Sequence, residues 1–230
     1  MAHDPSGCPS RMTSVRHFAI EGAIGVGKTS LVHRLHGEWG GSRFLEVVEG
    51  NPFLTGGFYQ DMEAWAFDTE MFFLLSRFRQ QRGVAAALEN GRTPVLADYV
   101  FEKNRIFAEL TLPPRDLIVW QRLFGTLAPE VPRPDLTVYL KAEVDVLMDR
   151  VRTRNRPFER DLERGYLARL AEAYDRFFEA WPGKLLVIEV SALDFVGSEA
   201  DYAAVRALVE HKAAEIEAGQ RELALEPGAR

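Results

Sequence analysis

A glycine-rich stretch near the start of the chain has the residue types and spacing that bind a polyphosphate. It reads Gly-Ala-Ile-Gly-Val-Gly-Lys-Thr and matches GxxxxGK(S/T), between an apolar segment and a helical pattern. Glycines let backbone N–H groups turn toward phosphate oxygens, and the start of a helix adds partial positive charge. The lysine then bridges the β- and γ-phosphates, and the hydroxyl binds Mg²⁺. We predict that a nucleoside triphosphate binds at Gly22, Ala23, Ile24, Gly25, Val26, Gly27, Lys28, Thr29 and Ser30.

A run of arginines follows much later, with Arg150, Arg152, Arg154, Arg156 and Arg160 within a short segment. Such runs are usually solvated helix faces. The chain as a whole has 28 Lys and Arg against 34 Asp and Glu, so this cluster opposes the overall charge of −6. Cations that close over a transferring phosphoryl group cancel its charge. We therefore interpret the run as the lid of a kinase.

Two carboxylates, Glu46 and Asp98, stand at the ends of predicted strands. Ligands bind at the carboxyl edge of open α/β sheets, where both side chains would lie. A carboxylate there can take the proton from an acceptor hydroxyl. The alternative for each residue is a structural cap on the following turn.

Short apolar strands alternate with helices and would position these groups. Strands are predicted over residues 15–20, 44–48, 93–97, 136–140 and 185–189. Helices are predicted over 28–38, 61–89, 102–110, 115–128, 144–154, 161–180 and 199–217. The alternation indicates an α/β fold with a parallel sheet covered on both faces. We predict one domain over residues 15–218, with tails at 1–14 and 219–230.

Composition limits the partners. A net negative charge matches neither nucleic acid nor an anionic membrane surface. No segment approaches the ~20 apolar residues that span a bilayer, and the first fourteen residues lack the apolar stretch of a signal peptide. The lone Cys8 has no cysteine to pair with in the chain. We expect a cytoplasmic protein without nucleic-acid or membrane partners.

These motifs and several others resemble the deoxynucleoside kinase family. Residues 46–54, Glu-Val-Val-Glu-Gly-Asn-Pro-Phe-Leu, are similar to its Glu-Pro-Val…Asn-Pro-Phe-Leu segment. Residues 70–74, Glu-Met-Phe-Phe-Leu, and the pair Asp98-Tyr99 resemble its branch of bacterial deoxyguanosine and deoxyadenosine kinases. The resemblance covers about residues 15–210. It implies a three-layer P-loop kinase fold with a five-stranded parallel sheet flanked by helices and an arginine-rich lid. It also implies a homodimer, or a pairing with a related kinase subunit.

The resemblance implies roles for the reacting groups. ATP would give its γ-phosphoryl group to the 5′-hydroxyl of a deoxynucleoside, and Glu46 would be the general base. Asp98 and Thr29 would bind Mg²⁺, partly through water. The side chains that hold the phosphates would be Lys28, Arg150, Arg154 and Arg156.

Other residues are implied to bind the substrates. Tyr59 and Glu159 would hold the 3′-hydroxyl, and Phe107 would stack on the base. Arg77 would support the base pocket. The loop that contacts the adenine of ATP would contain Asp194 and Phe195.

Two positions depart from the family's pattern. Tyr99 stands where an arginine usually steadies the catalytic carboxylate, and Arg77 or a lid arginine could replace that cation. Glu70 stands where glutamine is common. An ionised carboxylate can accept from both N1–H and the N2 amino group of guanine, whereas adenine has no such pair of donors. We predict deoxyguanosine first and deoxyadenosine second. The alternative is that Glu70 pairs with Arg77 and does not contact a base.

Two other functions stay open. A nucleoside-monophosphate kinase, of the thymidylate kinase type, shares the phosphate loop and the lid. Its acceptor already carries a phosphate and needs cations, whereas Tyr59, Glu70 and Glu159 are neutral or acidic. A catalytically weak nucleotide-binding partner subunit would account for the arginine absent at Tyr99.

Overall fold

The computed structural model describes residues 15–225, with side chains described through residue 220. The predicted tail at 1–14, with Cys8, lies outside the described residues. The sheet is built from β1 (His17–Glu21), β2 (Ser42–Phe44), β3 (Val95–Ala97), β4 (Leu136–Lys141) and β5 (Leu185–Glu189). The strand order is β2-β3-β1-β4-β5, and all neighbouring pairs are parallel. The predicted five-stranded parallel sheet is confirmed.

Helices connect the strands and cover the sheet. In the described range they are α1 (Lys28–Trp39), α2 (Pro52–Thr55), α3 (Met62–Glu89), α4 (Lys103–Thr111), α5 (Pro114–Leu127), α6 (Val144–Arg154), α7 (Arg164–Glu179) and α8 (Glu199–Leu225). None of these helices is long and apolar enough to cross a membrane.

The core has one large and one smaller apolar cluster beside the site. The large cluster joins β1, β4 and β5 to α1, α6, α7 and α8. The smaller cluster surrounds Trp120 and joins α3, α4 and α5. Because β1, β2 and β3 run parallel, the residues that follow them meet at one edge of the sheet. The phosphate loop, Glu46 and Asp98 follow these three strands.

The second strand is shorter than its sequence indicated. It ends at Phe44, so Glu46 lies in the following loop and not on the strand. The backbone N–H of Asp98 donates to the carbonyl oxygen of Phe44, but the N–H of Glu46 donates to the side chain of Asp98. A side-chain hydrogen bond thus replaces the strand pairing that the apolar segment 44–48 predicted.

The last helix is longer than predicted and continues to Leu225, past Gly219. A single glycine costs a helix only about 1 kcal/mol, which is too little to end a long one.

Candidate active site

The phosphate loop joins the end of β1 to the start of α1. Gly25 and Gly27 have φ angles of +89° and +103°, a backbone region that favours glycine. A Cβ atom at Gly25 would lie 2.7 Å from the carbonyl oxygen of Leu147, so space also requires glycine there. The N–H groups of the first turn of α1, which have no partner within the helix, therefore face a loop shaped for an anion.

Lys28 and Thr29 begin α1 and extend from this loop in different directions. Lys28 Nζ donates to the carbonyl oxygens of Gly22 and Ala23, at 2.8 and 3.1 Å. Burial lowers the pKa of Lys28 to about 8, and the nearby positive charge of Lys103 acts in the same direction. Thr29 Oγ1 donates to Asp98 Oδ2 at 2.6 Å. The predicted pair Thr29 and Asp98 is thus brought together.

Asp98 connects the phosphate loop to the segment that carries Glu46. Its Oδ2 accepts from Thr29, and its Oδ1 accepts from the backbone N–H of Glu46 at 2.7 Å. Hydroxyl and carboxylate oxygens suit Mg²⁺, which keeps several waters and binds substrate phosphates. The described residues contain no cluster of three His, Cys, Asp or Glu that could hold a metal. These two side chains therefore fit an ion that arrives with a triphosphate.

Glu46 is held between two buried cations, Arg77 and Lys103. Arg77 Nε donates to Glu46 Oε1 at 2.8 Å, and Arg77 Nη2 contacts the same oxygen. Lys103 Nζ donates to Oε2 at 3.2 Å. Burial alone would raise the pKa of Glu46, but the two cations outweigh it and hold that pKa well below its usual range. Glu46 is therefore ionised, with both oxygens fixed in place.

Lys103 is a site residue that sequence reasoning missed. It is the first residue of α4, is 2% exposed, and also lies 3.7 Å from Glu21 Oε1 at the end of β1. Arg77, suggested as a replacement for the arginine absent at Tyr99, does reach Glu46, and Lys103 supplies a second cation. The available signal was a lysine at a predicted helix start, five residues after Asp98.

Glu70 lies on α3 and is 1% exposed. Its Oε1 is 3.4 Å from Thr111 Oγ1, and its Oε2 has no hydrogen-bond partner. Burial raises the pKa of Glu70 to about 8, with Arg77 and the hydrogen bond from Thr111 opposing the rise. Arg77 donates its hydrogen bonds to Glu46 and Asn104. The alternative that Glu70 forms an ion pair with Arg77 is therefore wrong.

One cavity of about 260 Å³ joins Glu70 to the phosphate loop. Its aromatic walls include Tyr59, Phe73, Phe107, Tyr166 and Tyr174. Glu46, Asp98, Lys103 and Arg154 line it as well. A wider cleft of about 560 Å³ near Trp181 contains none of the predicted site residues.

The lid residues pair with one another. Arg154 Nη2 donates to both carboxylate oxygens of Glu159, at 2.7 and 2.8 Å. Arg156 lies 3.2 Å from Glu49 and 3.9 Å from Glu159. Arg154, Arg156 and Glu159 line the cavity, together with Tyr59.

Arg150 differs from the other two lid arginines because it donates to backbone carbonyl oxygens and not to a carboxylate. Its guanidinium donates to the carbonyl oxygens of Val26, Val190 and Leu193, at 3.3, 2.9 and 2.9 Å. It lies one turn earlier on α6, beside the phosphate loop and the residues after β5. Through these hydrogen bonds Arg150 ties the two segments together, and its role as a phosphate clamp stays a prediction.

The predicted adenine-side loop lies next to the phosphate loop. The ring of Phe195 is 1% exposed and so close to Gly27 that a Cβ atom there would be 2.6 Å from it. Asp194 Oδ1 accepts from the N–H of Gly197. The Phe195 ring therefore packs against the phosphate loop and supports it from within, and contact of Asp194 and Phe195 with a nucleotide stays a prediction.

Comparison with known proteins agrees with this geometry. The model of a family described as "Deoxynucleoside kinase" matches residues 18–213. A deoxyguanosine kinase of Bacillus subtilis (strain 168) is 36% identical over 203 residues, which are 86% of this chain and 98% of that protein. A deoxyadenosine kinase of Dictyostelium discoideum is 30% identical over 188 residues, which are 80% of this chain and 75% of that protein.

Solved structures agree on the fold. A structure of deoxyadenosine kinase from M. mycoides with bound dCTP has a TM-score of 0.72 at 19% identity, covering 85% of this chain and 99% of that one. Together with the family match over most of the chain, this similarity means that the protein belongs to the deoxynucleoside kinase family.

Proposed function

We propose that this protein transfers the γ-phosphoryl group of ATP to the 5′-hydroxyl of a purine deoxynucleoside, with Mg²⁺, and that it prefers deoxyguanosine to deoxyadenosine. The names of its relatives support a purine acceptor. The observation that carries the preference is the unpartnered Oε2 of Glu70, buried at one end of a cavity whose other end is the phosphate loop.

Glu46 is the group that takes the proton of the 5′-hydroxyl. Two cations keep it ionised, so it is a weak base, but the hydroxyl becomes acidic as its oxygen bonds to phosphorus. The O–P bond to ADP breaks as the new O–P bond forms, and the proton passes to Glu46. Mg²⁺, when bound with ATP at Thr29 and Asp98, neutralises charge on the β- and γ-phosphates.

The lid supplies further charge at the phosphates. Arg154 and Arg156 line the cavity but pair with Glu159 and Glu49. We propose that both arginines turn to the triphosphate when it binds, which frees Glu159 to accept from the 3′-hydroxyl. Tyr59 stays protonated because burial raises its pKa, so its hydroxyl can donate to the same oxygen.

The base end of the cavity suits guanine. Ionised Glu70 would accept from N1–H and from the N2 amino group, and each charge-assisted hydrogen bond contributes about 1.5–3 kcal/mol. Phe107 stands at the cavity wall, with its ring edge-on to Tyr174 at 6.2 Å between centroids, and would flank the base.

A cytoplasmic location and a homodimer, or a pairing with a related kinase subunit, also belong to this proposal. The support for a dimer is that α3 and α5 expose large apolar side chains, including Leu75, Ile118 and Val119.

An ADP-release assay tests the function. ATP and Mg²⁺ are supplied with each deoxynucleoside in turn, and deoxyguanylate and thymidylate serve as controls. At pH 8.5, above the pKa of Glu70, we expect deoxyguanosine to exceed deoxyadenosine about tenfold in kcat/KM, a difference of about 1.4 kcal/mol. A higher kcat/KM with a pyrimidine deoxynucleoside would refute the assignment of the nucleobase. Turnover only with a monophosphate would refute the nucleoside acceptor, and ATP binding without any turnover would favour the inactive partner subunit.

A further inference from the structure

We propose that the protonation of Glu70 decides which purine the site reads, so that the carboxylate binds guanine and the carboxylic acid binds adenine. The inference rests on the proposed function and goes beyond it, because the ratio of the two products becomes a function of pH.

Thr111 gives the charged form of Glu70 little support. Its hydroxyl oxygen lies 2.8 Å from the carbonyl oxygen of Phe107 and 3.4 Å from Glu70 Oε1, so its single proton is shared between two acceptors. Glu70 Oε2 has no hydrogen-bond partner. A buried carboxylate with one long, shared hydrogen bond is poorly compensated for the loss of water, so the empty pocket favours neutral Glu70.

The surroundings support a neutral carboxyl. The charged and titratable groups that face Glu70 come from its own helix, the loop after β2, α4, the segment after α2, and α7; they are Arg77, Glu46, Lys103, Tyr59 and Tyr166. The two cations among them donate to Glu46, so Arg77 and Lys103 only partly offset the effect of burial on the pKa of Glu70. Burial accordingly raises the pKa of Glu70 to about 8.

Each form of Glu70 complements one base. The carboxylate offers two acceptors, which match N1–H and the N2 amino group of guanine. The acid offers one donor and one acceptor, which match N1 and the N6 amino group of adenine. The Oε2 atom without a partner is the acceptor in both cases. At a pH below the pKa of Glu70, guanine can therefore bind only after Glu70 has lost its proton.

A competition experiment isolates this effect. Deoxyguanosine and deoxyadenosine are supplied together with ATP and Mg²⁺, and the two monophosphates are quantified at each pH. Every other pH effect on the enzyme acts on both products and cancels in their ratio. Because the ratio follows ionised over neutral Glu70, we expect it to rise about tenfold per pH unit, or about 100-fold from pH 6.5 to 8.5.

Three variants test the assignment. Glu70→Gln has one donor and one acceptor at every pH, so it should favour deoxyadenosine with a flat ratio. Thr111→Val removes the one hydrogen bond that Glu70 Oε1 accepts, which supports the carboxylate, so it should move the ratio toward deoxyadenosine while keeping its slope. The matched control is Glu63→Gln, an exposed glutamate on the same helix, which should behave as the wild type.

Binding supplies a readout that does not depend on turnover. Calorimetry at pH 7 in two buffers of different ionisation heat should show about one proton released with deoxyguanosine, and close to none with deoxyadenosine. Phosphorylation of both purines at a pH-independent ratio, or no proton release, would overturn this inference and leave the proposed function intact. Failure to phosphorylate either purine at any pH would overturn the proposed function itself.

Discussion

Replacement of Lys103 by methionine tests the electrostatic argument for Glu46 directly. Methionine keeps most of the side-chain volume and removes the charge that lies 3.2 Å from Glu46 and 3.7 Å from Glu21. Two carboxylates would then share the site with Arg77 as the buried cation. Breaking a buried pair by removal of one partner costs about 3–5 kcal/mol. We expect a loss of that size in the free energy of unfolding, seen as a fall of about 6–20 °C in Tm.

The same change should affect turnover more than substrate binding. Lys103 fixes one oxygen of Glu46, the proposed general base, whereas Glu70 and Phe107 are the residues proposed to bind the nucleobase. Loss of one preorganised charged group at a reacting centre typically costs about 10²-fold in kcat. We expect a kcat reduced by about that factor with little change in the KM of the nucleoside, measured by ADP release. Lys103→Arg restores the charge and should recover part of kcat.

Lys141 provides the matched control. It also forms an ion pair, with Asp175 at 2.7 Å, but its side chain is 44% exposed. Exposed pairs contribute about 0–1 kcal/mol, so Lys141→Met should leave Tm and kcat nearly unchanged. If Lys103→Met matches this control in both measurements, the assignment of Lys103 as a counter-ion is refuted. If stability falls and kcat does not, Lys103 is a structural residue and does not position Glu46.

Two further substitutions separate roles within the site. Glu46→Gln should lower kcat about 10²–10⁴-fold while nucleoside binding, measured by calorimetry, is retained, and near-normal turnover would show that Glu46 is not the base. Arg150→Ala should lower Tm through the loss of three hydrogen bonds to backbone carbonyls, at about 1 kcal/mol or more each, with a modest effect on kcat once the protein is folded. A large loss of kcat with an unchanged Tm would instead indicate that Arg150 binds the phosphates.

The sequence predicted the architecture well because its strands are short apolar runs between clear helical patterns. The bounds predicted for β5 and α6 agree with the structure. The prediction of the second strand was the least accurate, because the apolar segment 44–48 has a strand-like pattern. The strand ends earlier because the backbone N–H of Glu46 donates to the side chain of Asp98, which is remote in the sequence. Such an interaction is not visible in local periodicity.

The residues of the site also divide into those that the sequence predicted and those that it did not. The phosphate loop and Asp98 were predictable because a contiguous pattern or a strand end specifies them. Lys103 was missed because its importance comes from Glu46, which is 57 residues earlier. The backbone contacts of Arg150 were not predicted, because a basic run gives no information about which carbonyl groups accept from each guanidinium.

The carboxyls of Glu46 and Glu70 lie at the two ends of the cavity, and their pKa values are shifted in opposite directions. Glu46 and Glu70 both lose solvent, which by itself raises the pKa of each carboxyl. Arg77 lies on the same helix as Glu70, but it donates its bonds to Glu46, where Lys103 adds a second positive charge. Glu70 receives only one long hydrogen bond, from the hydroxyl of Thr111. Because the cations gather at one carboxyl, Glu46 stays charged, as the proposed general base requires, and the pKa of Glu70 is raised, as the proposed exchange of its proton requires.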